Sequence, residues 1–336
     1  MYAASFKSCA FDTVYIGGGT PTVFPTERLG RIFGILRGTF CILSGAEITV
    51  EANPRTLDMK KLESLLQRGA NRLTIGVQSF SDRLLGFLGR LHSARDAEGA
   101  VISARSAGFR NIGIDLIYGI PGQSSDDWER DLNRAVSLSP EHISVYCLSL
   151  DEGAHFSREA EAGRFSLPGD EAVASQYELA SSLLGGAGYR RYEISNFALP
   201  GFECRHNMNY WRRGEYLGLG ASAWSFVSGV RRSNISDVRL YSEMLSAGRR
   251  PVSFEERVDV AAAATETLML GLRTDDGVDL VSFERDYGRD ALMRLMAKTG
   301  ELEEEGMVSV SDGILRITER GVFIAEGITG RLTASQ

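Results

Sequence analysis

Residues able to do chemistry sit where short apolar runs end. Thr13–Ile16 leads into Gly17-Gly18-Gly19-Thr20-Pro21-Thr22. Successive glycines let a backbone approach a ligand closely, and their N–H and C=O groups can bind a polar, amino-acid-like group. On its own such a loop is weak evidence, because ordinary turns use glycine too. No Gly-Lys-Ser/Thr follows, so it is not a phosphate loop. Ile48–Glu51 puts a carboxylate before the rigid Asn53-Pro54 turn, where it can take an ammonium or a ribose hydroxyl, or be solvated. Leu73–Val77 leads to Gln78, and Arg90 follows downstream. Asp115 lies within Ile112–Ile117, where an unpaired charge is expensive. It therefore faces a ligand, a cation or a polar pocket, or pairs with Arg90. Farther on, Arg205-His206-Asn207-Met208-Asn209-Tyr210-Trp211 sets an imidazole among aromatic rings. Such a histidine is either a metal ligand or a loop residue bonded to backbone.

These groups need a scaffold, and the apolar runs supply it. With Ile143–Leu148 they recur at intervals long enough for a helix, as buried parallel strands do. Helical stripes fill the gaps: Leu62, Leu65, Leu66 and Ala70; Ala97, Ala100, Val101 and Ala104; Trp128, Leu132, Ala135 and Val136. Gly69 and Gly108 stand where left-handed C-caps are expected. The alternation gives an α/β fold, either a βα-repeat barrel or an open doubly wound sheet. Both architectures place ligands at the C-terminal ends of their strands. The rhythm breaks after residue 196, which divides the chain into 1–196, a Gly-, Asn- and aromatic-rich stretch 197–250, and a module 251–336. The last is expected to hold helices over Val258–Leu272 and Asp290–Glu305. A hairpin turning at Asp312-Gly313 and a short helix from Thr318 should follow. That arrangement resembles a winged helix and reads as an accessory packing or partner surface.

Composition narrows the classes. The 336 residues are 43% hydrophobic and 24% charged, ordinary for a globular protein. Lys and Arg number 37 against 44 Asp and Glu, a net charge of -7 that argues against nucleic acid as a partner. No run is long and apolar enough for a membrane span, which leaves at most peripheral contact with a membrane. The start, MYAASFKSCAFD, is not a secretory signal. Cys9, Cys41, Cys147 and Cys204 are scattered, as in proteins of a reducing compartment, so a cytoplasmic location is expected.

Together and in this order, the motifs resemble the S-adenosylmethionine (SAM) site of the radical-SAM oxygen-independent coproporphyrinogen oxidase-like family. The resemblance covers nearly the whole chain and implies a partial (β/α)6 barrel with an open side. It assigns Gly18, Gly19 and Thr20 to the methionine amino group, and Glu51, Gln78, Arg90 and Asp115 to the remaining SAM contacts. Asp115 would bind the ribose hydroxyls, and Arg90 the methionine carboxylate or the pocket acids. HNMNYW resembles the signature of the family's haem-chaperone branch. It makes His206 a candidate haem-iron ligand and Asn207, Tyr210 and Trp211 its neighbours, with Arg231 and Arg232 candidates for the propionates. The run Tyr216–Ala223 resembles the family segment that closes the SAM pocket.

The function implied is a haem chaperone that binds haem and SAM and delivers haem to apo-proteins. The alternative is an oxygen-independent coproporphyrinogen III oxidase acting on a porphyrinogen, and a generic βα-barrel enzyme is a remoter reading. The family also holds a [4Fe-4S] cluster on a C-x3-C-x2-C loop one βα unit before GGGTPT. That spacing does not occur in this chain. The resemblance therefore implies that the first βα unit is missing, either from a truncated reading of a longer protein or by true loss. Met1–Ala10 would then be the tail of the first helix and the Gly17 strand an exposed edge. No SAM cleavage is expected from the chain alone.

Overall fold

Five apolar runs become five parallel strands in one sheet. The computed structural model describes residue 2, residues 4–150 and residues 155–334. By internal contacts it divides into Phe6–Cys204 and a second unit, Arg205–Gln336 with Met1–Ser5.

In the first unit the elements run β1 (Ala10–Ile16), α1 (Thr26–Thr39), β2 (Cys41–Ala52), α2 (Met59–Gln67), β3 (Arg72–Gln78), α3 (Asp82–Phe87), α4 (Ala94–Ala107), β4 (Ile112–Tyr118), α5 (Ser125–Ser137) and β5 (His142–Cys147). Then come α6 (His155–Glu161), α7 (Asp170–Gly186), β6 (Arg190–Glu193) and β7 (Asn196–Ala198). Strand order is β1-β2-β3-β4-β5-β7-β6; the first five are parallel and the last two antiparallel. The unit is thus α/β, a curled half-barrel sheet in which β1 forms one edge. The expected helix tail before it is not there: residues 4–8 are turns and Ala10 already pairs with Cys41. Met1 and residue 3 lie outside the described residues.

Helix ends follow local chemistry. Ser93 and Ser124 open α4 and α5 with reciprocal capping boxes to Asp96 and Asp127. Gly69 and Gly108 take positive φ after α2 and α4.

The strands read as apolar runs, yet only one face of the sheet is apolar. Ile48, Val50, Leu73, Ile75, Ile112, Ile114, Ile143 and Val145 are buried on the outer face. Each contributes roughly 1.5–3 kcal/mol of burial. Alternation sends Tyr15, Glu47, Thr49, Glu51, Arg72, Thr74, Gly76, Gly113, Asp115, His142, Ser144 and Tyr146 to the other face. Register aligns them in rows across the strands, such as Gly76–Asp115–Ser144. The outer face is closed from solvent; the inner one is polar, buried at Arg72 and His142 but open towards the strand ends, where Tyr146 is exposed.

The second unit holds α8 (Arg205–Trp211), β8 (Trp224–Val227), β9 (Val230–Asn234), α9 (Val238–Ser246) and β10 (Val252–Arg257), with the three strands antiparallel. It continues with α10 (Val260–Gly271), β11 (Val278–Asp279), α11 (Leu280–Tyr287), α12 (Arg289–Glu304), β12 (Val308–Ser311), β13 (Ile314–Ile317) and α13 (Ala325–Thr333). Leu268, Phe283, Leu295, Leu302, Leu315 and Ile328 form the core of this C-terminal part. Asp312 and Gly313, both at positive φ, turn the β12–β13 hairpin. β11 completes a three-stranded wing, and α11 is a helix that apolar periodicity alone did not reveal.

Candidate functional site

The glycine loop follows β1 directly and is held by Glu51 from the next strand. Tyr15 Oη donates to Glu51 Oε1 at 2.8 Å, and Gly18 N–H donates to Oε2 at 3.1 Å. A Cβ on Gly17 would lie 2.6 Å from both the Glu51 carboxyl carbon and the Tyr15 ring, so only glycine fits there. Gly18 and Gly19 have positive φ and nothing within 4 Å of a virtual Cβ, so their backbone borders open space. Thr20, partly buried, leads into the turn at Pro21. The Glu51 carboxylate thus shapes the loop, and burial together with that carboxylate pushes the Tyr15 hydroxyl far above its ordinary pKa.

Two strands along, Gln78 ends β3 at φ 70, in the left-handed region that a non-glycine residue rarely adopts. A register shift between Gly76 and Gln78 accompanies it. Strain of this kind persists only where the surroundings enforce it. Here Asp131 of α5 does so by accepting from Ser79 Oγ at 2.6 Å and from Phe80 N–H at 2.7 Å.

Asp115 lies level with Gly76. Burial raises its pKa from 3.8 to about 6, against a hydrogen bond from Ser144; Glu51 raises it further, and Arg72 and Arg90 oppose. Arg90 is exposed and reaches Asp115 only through space. Gly18, Glu51, Gln78 and Asp115 therefore share the strand-end half of the inner face. Tyr15, Ser144 and Asp131, which hold them, were missed in the sequence. Strand parity would have found Tyr15 and Ser144.

The aromatic motif forms α8 of the second unit, a helix where little periodicity is legible. His206 and Tyr210 are one helical turn apart, with Tyr210 Oη 2.8 Å from His206 Nε2. The Tyr210 and Tyr216 rings meet edge to face at 4.7 Å. Trp211 Nε1 is buried without a hydrogen-bond partner, and Arg273 lies 5.5 Å over its ring. Asn207 is partly buried on the same helix.

Arg231 and Arg232 are already engaged. Arg231 pairs with Glu256 at 2.8 Å and Glu266 at 2.5 Å, and Arg232 pairs with Glu255 at 2.5 Å. Burial works against charge on Glu266, but its bonds to Arg231 and Arg213 outweigh that and lower its pKa. The expected propionate role for these arginines would require breaking those pairs.

Comparison with known proteins places these features. The pattern of the Radical SAM superfamily matches residues 2–135, and that of the HemN C-terminal domain matches residues 258–324. Coproporphyrinogen III oxidase (HemN) from Escherichia coli shares the fold: its TM-score is 0.85 at 22% identity, covering 99% of this chain and 80% of that one. The chain is a radical-SAM protein of the coproporphyrinogen oxidase-like class. Heme chaperone HemW of Bacillus subtilis is 36% identical over 321 residues, 95% of this chain and 84% of the relative. HemW of Mycobacterium tuberculosis is 33% identical over 335 residues, 99% and 83%. The chain belongs to the HemW family.

Radical-SAM proteins use SAM and a [4Fe-4S] cluster, the cluster supplying the electron that cleaves SAM. The open backbone at Gly18 and Gly19, with acids on the inner face, suits a polar, cationic ligand such as SAM. The cysteines do not suit the cluster. Cys9, Cys41 and Cys147 are exposed, Cys204 is buried, and they belong to separate parts of the chain. Among the described residues no group of three His, Cys, Asp or Glu is placed to hold a metal.

Proposed function

We propose that this protein is a haem chaperone that binds haem at α8, binds SAM on the inner face of the sheet, and delivers haem to apo-proteins. The observation that carries the reading is the His206–Tyr210–Tyr216 group, an imidazole flanked by ring faces and edges on a short helix. HNMNYW supports it further, as do relatives named heme chaperone over most of their length. Haem iron would be taken by His206, and stacking on a porphyrin would fall to Tyr210. Since His206 Nε2 already meets Tyr210 Oη, ligation through that nitrogen requires the hydroxyl to swing away.

For SAM, Gly18, Gly19 and Thr20 would border the methionine amino group. Asp115 would take the ribose hydroxyls, with Glu51, Gln78 and Arg90 completing the pocket. Conversion of a porphyrinogen has less behind it, because its family mechanism uses three cysteines in C-x3-C-x2-C spacing and Cys9, Cys41, Cys147 and Cys204 are not so spaced. No helix among the described residues is long and apolar enough to cross a membrane. A cytoplasmic location fits a carrier that hands haem to apo-proteins, and peripheral membrane contact fits one that serves membrane-bound acceptors.

Haem titration tests the reading. Wild type should give a saturable Soret shift, His206→Ala should lose it, and Tyr210→Phe should retain it with equal or tighter affinity. No Soret shift in wild type would refute haem binding. An unchanged shift in His206→Ala would move the ligand elsewhere.

A further inference from the structure

The carboxamide of Gln78 is aimed by residues that are themselves buried. Ser79 N–H donates to the Val77 carbonyl at 2.9 Å, closing a three-residue turn about Gln78. At φ 70 it is the strained form of that turn. The turn throws the side chain back along β3. Gln78 Nε2 lies 2.8 Å from a virtual Cβ on Gly76, so the amide occupies a seat that a methyl there would fill. Gly76 is level with Asp115, which brings the amide to rest on the inner face beside that carboxyl. Among the described residues the amide has no hydrogen-bond partner.

Two side chains hold the turn from behind. Asp131 of α5, 2% exposed, accepts from Ser79 Oγ on one oxygen and from Phe80 N–H on the other. Ser79 Oγ in turn accepts from Ser81 N–H at 3.0 Å. His92, 3% exposed, donates from Nε2 to the Val77 carbonyl at 3.0 Å, since a carbonyl can only accept. Asp82 adds a further tie by accepting from Ala94 N–H at 2.7 Å. The stretch from Ser79 to His92 is thus fastened at both ends, and it carries Arg90.

We propose that Asp131 and His92 are positioning residues of the SAM site, acting through the loop that presents Gln78 and Arg90. The proposal rests on the SAM reading of the inner face. Neither side chain touches the ligand; each fixes where a ligand-touching one can be. Strain enforced by a neighbour is released when that neighbour is removed. Without Asp131, Gln78 relaxes from the left-handed region and its amide leaves the seat at Gly76. A displacement of about 1 Å in such a group is enough to spoil a site.

Calorimetry on the full chain reads SAM affinity while urea unfolding follows stability. Asp131→Ala should weaken SAM binding about tenfold, because it misplaces a contacting group. Asp131→Asn still accepts from Phe80 N–H and can donate to Ser79 Oγ, so it should stay within about threefold of wild type. Gln78→Ala should cost about tenfold in wild type and less than about twofold in Asp131→Ala, because the two act as one unit. His92→Gln, whose amide nitrogen replaces Nε2, should bind SAM better than His92→Leu. A nuclear Overhauser contact between the Gln78 carboxamide and Gly76 Hα should appear in wild type and Asp131→Asn and be lost in Asp131→Ala. Should Asp131→Ala not fold, Ser79→Ala removes one of the two bonds and should show the same losses at smaller size. Additive losses in the Gln78 and Asp131 double variant, or a contact that survives Asp131→Ala, would overturn the positioning role. A wild type that bound no SAM would overturn the pocket reading and the ligand named here with it, while the contact separately shows whether Asp131 holds the Gln78 amide in place.

Discussion

Asp115 should make the protein less stable at neutral pH than at mildly acid pH, and Asp115→Asn should remove most of that loss. The native carboxyl titrates near 6, whereas an ordinary aspartate titrates near 3.8. Between those values the folded state holds a proton that the unfolded chain has released, so stability falls as pH rises through the window. The shift corresponds to about 3 kcal/mol once both forms are ionised, with a slope of roughly 1 kcal/mol per pH unit. Water reaching the partly open carboxyl reduces the figure, so it is an upper value. Urea unfolding followed by circular dichroism at pH 4.5 and pH 7.5 reads it directly. Asp115→Asn should exceed wild type by about 3 kcal/mol at pH 7.5 and by about 1 kcal/mol at pH 4.5. Asp131 also titrates near 6 and contributes in the same window, so wild type keeps part of its slope in the variant. A variant weaker than wild type at pH 7.5, or one whose pH curve merely parallels it, would refute the reasoning.

Gly17→Ala places a methyl 2.6 Å from the Glu51 carboxyl and the Tyr15 ring. It should abolish SAM binding by calorimetry while costing no more than about 1–3 kcal/mol of stability, as overpacking does. Gly277→Ala adds a Cβ 2.4 Å from the Leu315 carbonyl oxygen at φ 71. It should unfold the C-terminal wing selectively, seen as lost amide protection over β11 and β13. Trp128 is fully buried and donates to the Gln176 carbonyl at 2.7 Å. Trp128→Ala should cost about 3–5 kcal/mol in urea unfolding. Anaerobic iron–sulfide reconstitution of the chain should yield no stoichiometric four-iron cluster by iron counting.

The strands were legible because their outer residues are apolar, and for the same reason their inner residues were misread. In ITVE, LTIGV and IGIDLI the intervening Thr, Gly and Asp look like tolerated exceptions within buried runs, yet they form a second face. Only Asp115 stood out, because its charge could not be reconciled with an apolar surrounding. β2 begins at Cys41, well before Ile48, because its first half pairs only with β1 and stays largely exposed, leaving no apolar signal. The helical placement of HNMNYW was hidden by its aromatic and Asn content, although the four-residue step from His206 to Tyr210 carried it. Arg231 and Arg232 looked available because their partners Glu255, Glu256 and Glu266 lie on β10 and α10, distant in sequence.

The split between an apolar outer and a polar inner face also bears on how this scaffold could be altered. Substitutions at Ile48, Leu73, Ile114 or Val145 address whether the chain folds, whereas those at Glu51, Gln78 or Asp115 bear on the SAM binding proposed above. Because parity alternates along every strand, neighbouring positions belong to opposite categories, and a library that randomises only alternate residues would vary ligand preference on a constant framework. A lineage drifting between cargoes would face the same partition, one set of codons being held by packing and the interleaved set left to selection on binding.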